Sequence, residues 1–440
     1  MTVTETDHCD FGGKIMVLDY GDRVIMPGLV DIHVHLNEPG REDWEGLTSG
    51  TRAAAAGGIT TVVDMPLNSF PVTTDVKSLH QKVEATKGKL SIDIGFWGGL
   101  VPANAENSTA LDELLKAGVL GLKSFMCPSG INDFPQTNSQ HIKAALPVLA
   151  KHKRPLLVHA ELPQTISSED SPSTHATEEP LRLEDPRAYE TYLKSRPHSW
   201  ENAAIRQLIE VGESTKKGRE AEGASIHIVH LADANSLSII QDAKSRGINL
   251  TVETCTHYLT FAAEEIPDGD TRFKCAPPIR NAKNRQLLWK ALMDGTIDSL
   301  SSDHSPAPPQ MKLFDEGDFM RAWGGISSLQ FGPLATWTYG KQRGITLNHL
   351  VRWWSTRPVE LAGLNLKGSL EVGRDADIVV WTPNESTKVD DEKKIYHKHK
   401  ATPFFNMTLD GRVDFTFVRG QLVFSQGTFS DRPCGKPILV

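Results

Sequence analysis

The chain has 440 residues, 39% hydrophobic and 23% charged, with a formal net charge of -8 and a pI near 6.1. That length allows one large domain with a well-buried core plus a smaller appendage, while the acidic balance excludes a basic footprint for nucleic acid or an anionic membrane. No stretch approaches the roughly 20 apolar residues of a membrane span, and the N-terminus MTVTETDHCDFGGK lacks the apolar region of a signal peptide.

The cysteines (Cys9, Cys127, Cys255, Cys275 and Cys434) are odd in number and scattered. A disulfide framework is not expected, and a reducing compartment, the cytosol, is the expected location. No internal repeat is visible. Before Pro27 only KIMVLDY and the approach to RVIMPG carry a pattern. From there, short β-rich runs alternate with helical stretches, as βα units around a parallel sheet require.

The candidate strands are 29–35 (LVDIHVH), 59–65 (ITTVVDM), 91–97 (SIDIGFW), 119–125 (VLGLKSF), 155–160 (PLLVHA), 224–231 (ASIHIVHL), 248–255 (INLTVETC) and 298–303 (DSLSSD). Helical patterns fall between them at 44–56, 75–87, 110–117, 139–152, 201–217, 234–246 and 283–294, with Ser139 expected as the N-cap of one. Eight alternations fit a TIM (β/α)8 barrel, typically ~250 residues. A doubly wound open sheet is the competitor, weakened because no glycine fingerprint follows the first strand.

Three segments stand apart. Residues 161–198 form a long connection rich in Pro, Ser, Thr and acids, a length usually functional or disordered. The C-terminal part turns β-rich after a helical pattern at 347–362, with ADIVVWTP and later FTFVRGQLVF. The run DDEKKIYHKHK at 390–400 reads as a solvated loop. The expected layout is a short N-terminal segment at 1–26, a (β/α)8 domain at 27–365 and a β-rich appendage at 366–440.

The chemistry lies on the strands. His33 and His35 are two apart, so strand alternation points both to one side. They also sit at the strand's C-terminal end, the catalytic face of a TIM barrel. Strand five ends in His159, strand six carries His227 and His230, strand eight ends in Asp303, and strand four holds Lys123 within an apolar run. His227 and His230 have opposite parity, so one is expected inward. His230, nearer the strand end, is the expected ligand, and His227 is expected to face the helices.

Lys123 is the oddity. Burial depresses a lysine's pKa, and a neutral amine can add carbon dioxide to form a carbamate. Such an anion could bridge two cations about 3.5–4 Å apart. The alternative is a structural lysine paired with an acid. Imidazole and oxygen donors suit zinc, with manganese, cobalt or iron open. Asp303 could both ligate a metal and carry the proton from attacking water to the leaving nitrogen.

The stretches MPGLVDIHVHLNEPGREDWEG, SGTRAAAAGGITTVVDMPLNS, GLKSFM, HIVHLADA, ETCTHYLTF, KCAPPIR, SSDHSPAPP and GDFMRAWGGISSLQ together resemble the cyclic amidohydrolases, and among their branches the allantoinases. The resemblance implies two Zn2+ ions held by His33, His35, a carboxylated Lys123, His159, His230 and Asp303. It also implies hydrolysis of the hydantoin ring of allantoin to allantoate, a step of purine catabolism, often by a homotetramer. Similar dihydroorotases carry an arginine just after HxH, where this chain has Asn37. Similar dihydropyrimidinases and hydantoinases place a tyrosine five residues after the carboxylated lysine, where this chain has Pro128.

Asn68 and backbone groups near Ala276 and Gly325 are candidate substrate contacts, with turn and loop geometry as the alternative. A dihydropyrimidinase or hydantoinase is the second functional reading. A metal-free oligomeric scaffold is the third, and would show gaps among the ligands. Relatives usually carry a longer segment before MPG, which leaves two readings open, an incomplete appendage or a chain that begins at an internal start.

Overall fold

The computed structural model describes residues 2–8, 13–163, 185–217 and 223–440. Most of the 161–198 connection lies outside the described residues. Its end is helical, at Tyr189–Ser195 and in the start of His198–Lys217.

Eight parallel strands organise the larger part: β1 (Leu29–Val34), β2 (Ile59–Asp64), β3 (Asp93–Phe96), β4 (Leu122–Phe125), β5 (Pro155–His159), β6 (Ser225–Ile228), β7 (Leu250–Cys255) and β8 (Ser299–Ser301). Sequential neighbours pair in parallel from β1 to β3 and from β4 to β8. Gly98–Gly99 and a bond from Leu120 N to Phe96 O join β3 to β4. The last strand meets the first through a parallel bridge between Val34 and His304. There His35 N donates to His304 O at 2.8 Å. Every residue of β1 and β2 is buried, the condition of a parallel sheet covered on both faces.

Helices follow most strands and their starts are capped as the chemistry demands. Asp75 accepts from Ser78 N ahead of Val76–Ala85, and Asn107 from Ala110 N ahead of Ser108–Lys116. Helix Ser139–His152 is capped by Asn138, not by Ser139 as expected, because the Asn138 carboxamide accepts from both Gln140 N and His141 N. The 347–362 pattern is broken by a π-turn at Arg352–Thr356. Among the described residues no helix is long and apolar enough to cross a membrane.

Four C-terminal strands and one N-terminal strand form an antiparallel sheet in the order Thr428–Phe429, Gln421–Ser425, Thr408–Val418, Ile378–Lys388, Val24–Pro27, while Pro437–Ile438 pairs in parallel with β3. The N-terminal segment thus supplies an edge strand, and its hairpin Thr2–His8/Gly13–Asp19 pairs with itself. Tyr20 and Leu18 pack against Val380 and Phe415 of that sheet. The 390–400 run differs from the expected solvated loop. Ile395 and His397 are buried, and the His397 ring lies 4.7 Å from that of His304. Alternating charge hid two side chains whose partners are distant in sequence.

Candidate metal centre

The strand ends place the candidate ligands around one cavity of about 410 Å³. His33, His35, His159, His230 and Asp303 line it, as do Asn68, Ala276 and Gly325. Lys123 is fully buried. Its Nζ has no hydrogen-bond partner and sits 4.7 Å from the Phe125 ring. Among the described residues no carboxylate lies within ion-pair distance of it, although the Asp303 and Glu253 charges act on it against the effect of burial. Burial lowers its pKa from the ordinary lysine range to about 7.

Asp303 Oδ1 lies 3.3 Å from His33 Nε2 and 3.7 Å from His35 Nε2. Donor atoms of His33, His230 and Asp303 all fall within 4.8 Å of one another. The His159 and His230 rings are 4.5 Å apart. Burial holds His35 and His230 well below the usual imidazole pKa and His159 at about 4, so these three rings are neutral. Burial lifts the Asp303 carboxyl to about 6.

Hydrogen bonds decide which nitrogen of each ring keeps a lone pair. Glu253 Oε1 is 2.5 Å from His33 Nδ1. Burial would neutralise Glu253, but the His33 and His227 imidazoles hold it well below the usual carboxylate range. The carboxylate therefore accepts from His33 Nδ1, which turns Nε2 toward Asp303. Glu161 Oε2 accepts from His159 Nε2 at 2.6 Å and frees Nδ1. Leu67 O accepts from His35 Nδ1 at 3.3 Å and frees Nε2. Imidazoles oriented by carboxylates and a carbonyl, with a further carboxylate within reach, fit a divalent metal ion.

Strand parity failed at β6. The ladder ends at Ile228, and His230 has φ 40, so it turns into the cavity outside the alternation. His227 does not face the helices. It is fully buried, with Nε2 3.3 Å from Glu253 Oε2 and Nδ1 2.9 Å from Thr251 Oγ1. Asp303 likewise leaves β8 at φ 42. Positive φ in two non-glycine residues at one site is backbone strain of the kind that gathers at functional centres.

The residues that sequence reasoning missed are the carboxylates behind the ligands. Glu253 was legible only as an acid inside an apolar strand, and Glu161 as the residue two after His159. Asp31 accepts from His33 N at 3.1 Å and from Ser302 N at 3.2 Å, tying β1 to the end of β8. Arg196 forks onto Glu161. Asn68, at φ 55, brings Nδ2 within 3.5 Å of His35 Nδ1. Gly325 has φ 141, and a Cβ there would lie 1.9 Å from Ser305 O, so only glycine fits.

A model of the amidohydrolase family matches residues 24–423. An allantoinase of Arabidopsis thaliana is 57% identical over 98% of this chain and 84% of its own length. An allantoinase of Saccharomyces cerevisiae is 43% identical over 94% of this chain and 86% of its own. Among solved structures, an L-hydantoinase (dihydropyrimidinase) from Arthrobacter aurescens superposes with a TM-score of 0.81 at 27% identity, covering 95% of this chain and 89% of that one.

Proposed function

The chain belongs to the amidohydrolase family, and from that premise we propose that it hydrolyses the hydantoin ring amide of allantoin to give allantoate. The observation that carries the chemistry is the cavity itself: neutral, pre-oriented imidazoles and one carboxylate converge near a buried lysine amine that has no partner. The similarity to the Arabidopsis thaliana allantoinase at 57% identity supports the substrate. Pro128 lines the cavity where the resemblance to hydantoinases would put a tyrosine, so no phenol hydroxyl is offered there.

The ring of parallel strands supports reading residues 27–365 as a (β/α)8 barrel. The five-stranded sheet and the hairpin support a β-sandwich appendage built from 1–26 and 366–440. The described cysteines are all free, in keeping with a reducing compartment such as the cytosol. The homotetramer rests on the family resemblance alone.

Two divalent ions held by His33, His35, His159, His230, Asp303 and a carboxylated Lys123, with zinc suited to these donors, would polarise the scissile carbonyl and acidify the attacking water. Asp303 accepts the proton of that water as the new carbon–oxygen bond forms. It returns the proton to the ring nitrogen as the carbon–nitrogen bond breaks. Asn68 and the backbone at Ala276 and Gly325 line the cavity where the ring must lie, and orient it.

Carboxylation of Lys123 requires the neutral amine, and its pKa of about 7 gives this a sign. In the metal-free protein the amine is charged below that value and free above it. Zinc uptake at fixed carbon dioxide pressure is therefore expected to rise between about pH 6 and about pH 8. An uptake flat across that range would remove the lysine from the site.

The substrate is tested on zinc-loaded, bicarbonate-treated protein with allantoin, hydantoin, dihydrouracil and dihydroorotate. Selective turnover of allantoin is expected, with dihydrouracil and dihydroorotate poor. Dihydrouracil turned over as fast as allantoin would move the chain to the dihydropyrimidinase reading.

A further inference from the structure

One wall of the cavity is the segment 320–325, which contributes Met320, Arg321, Ala322, Trp323, Gly324 and Gly325 to the lining. Two lysines that the reaction does not use bind it: Lys274, itself part of the lining, and Lys312, outside it. Lys274 Nζ donates to Met320 O at 3.1 Å and Ala322 O at 2.5 Å. Lys312 Nζ donates to Trp323 O at 3.0 Å and Gly325 O at 2.8 Å. Both are buried, at 7% and 4% exposure. Neither has a carboxylate partner among the described residues. Four carbonyls of one short segment thus take the place of counter-ions.

A buried ammonium is costly unless its protons find acceptors, so each lysine demands that these carbonyls turn toward it. Burial pushes Lys274 down to about 8 and Lys312 to about 7. Charged or neutral, each amine keeps N–H donors for the same two carbonyls. The wall is fastened elsewhere too. Gly325 N donates to Lys274 O at 2.7 Å and Trp323 N to Met311 O at 2.8 Å, and the Trp323 ring meets that of Trp44 edge-on at 4.9 Å. The Lys274 ammonium also sits 4.9 Å from the Tyr192 ring, another lining residue.

We propose that Lys274 and Lys312 are positioning residues for substrate selection, two amine staples that hold the 320–325 wall against the polar substituent of a substituted hydantoin ring. The ring's reacting amide must lie near Asp303, which the Gly325 end of the wall borders, since Ser305 N donates to Ile326 O at 3.1 Å, so the 320–323 end is left to meet the substituent. Hydantoin has no such substituent and draws little from the wall. The inference rests on the allantoin reading for its substrate, but the staples themselves can be tested without it.

Methionine at either position keeps the stem and removes the donors. For Lys274→Met, KM for allantoin is expected to rise about tenfold, with kcat changed less than about threefold and zinc content unchanged, since the Met320 and Ala322 carbonyls lose their donor. KM for hydantoin should move little. Lys312→Met, which also frees the Gly325 carbonyl beside the ring, should raise KM for both substrates, and for allantoin more. Unchanged allantoin KM in a folded, zinc-loaded variant would overturn the proposal, as would equal losses for both substrates.

If a variant fails to fold, hydrogen exchange on the unaltered protein decides. Amides of 320–325 that exchange as slowly as those of β7 and β8 support a stapled wall, and fast exchange overturns it. Absence of allantoin turnover in the unaltered protein would defeat the substrate reading and leave the exchange result standing.

Discussion

Lys123→Ala is expected to lose the paired metal content and to lower kcat/KM for allantoin by at least roughly a thousandfold, because a Lewis-acid centre supplies several kcal/mol and each ~1.4 kcal/mol is tenfold. The side chain is fully buried with an unpartnered amine, so alanine removes no hydrogen bond and leaves only a slender void. Stability should therefore change much less than activity. That contrast separates a lysine that carries a bridging anion from one that fills space. Short carboxylic acids, offering two oxygens to the vacated volume, should restore part of both metal content and rate. A Lys123→Ala protein with two metals and full rate would remove the carbamate from the mechanism.

Asp303→Asn is the second large effect. Its oxygen can still approach the positions now 3.3 Å from His33 Nε2 and 3.7 Å from His35 Nε2, so most of the metal should remain. What is lost is the basic carboxylate that takes and returns the proton. A fall in kcat of about 10²–10⁴ with KM little changed is expected. Metal analysis and steady-state kinetics on one preparation check both halves. Loss of all metal with kcat falling in proportion would make Asp303 a ligand alone.

These roles trace back to features legible in different degrees. The eight strands could be read from composition and alternation, and HxH at a strand end announced the catalytic face. Where the ladder continues, as at His33, parity predicts direction. It fails at His230 because φ 40 ends the alternation, and no hydrophobic pattern encodes a single left-handed residue outside glycine. Glu253 escaped for another reason. Its partners His33 and His227 lie on β1 and β6, and only the assembled sheet brings three strands to one carboxylate. Lys274 and Lys312 were invisible because backbone carbonyls bind them, and a carbonyl has no letter in a sequence. The 390–400 run was misjudged by its charge, since His397 is buried by its contact with His304.

The seam between the first and last strands also constrains how the molecule assembles. Asp31 and Ser302, bonded across that seam, are separated by 271 positions. His33 and Asp303 flank the same junction, so the centre cannot exist until the first and last strands of the ring have met. Closing so long a loop is entropically expensive and slow relative to local helix formation. Early folding must proceed from βα neighbours, with no ligand set complete enough to recruit an ion. Metal present during refolding is then expected to leave the initial rate untouched and to slow unfolding of the finished protein, because it binds only after closure.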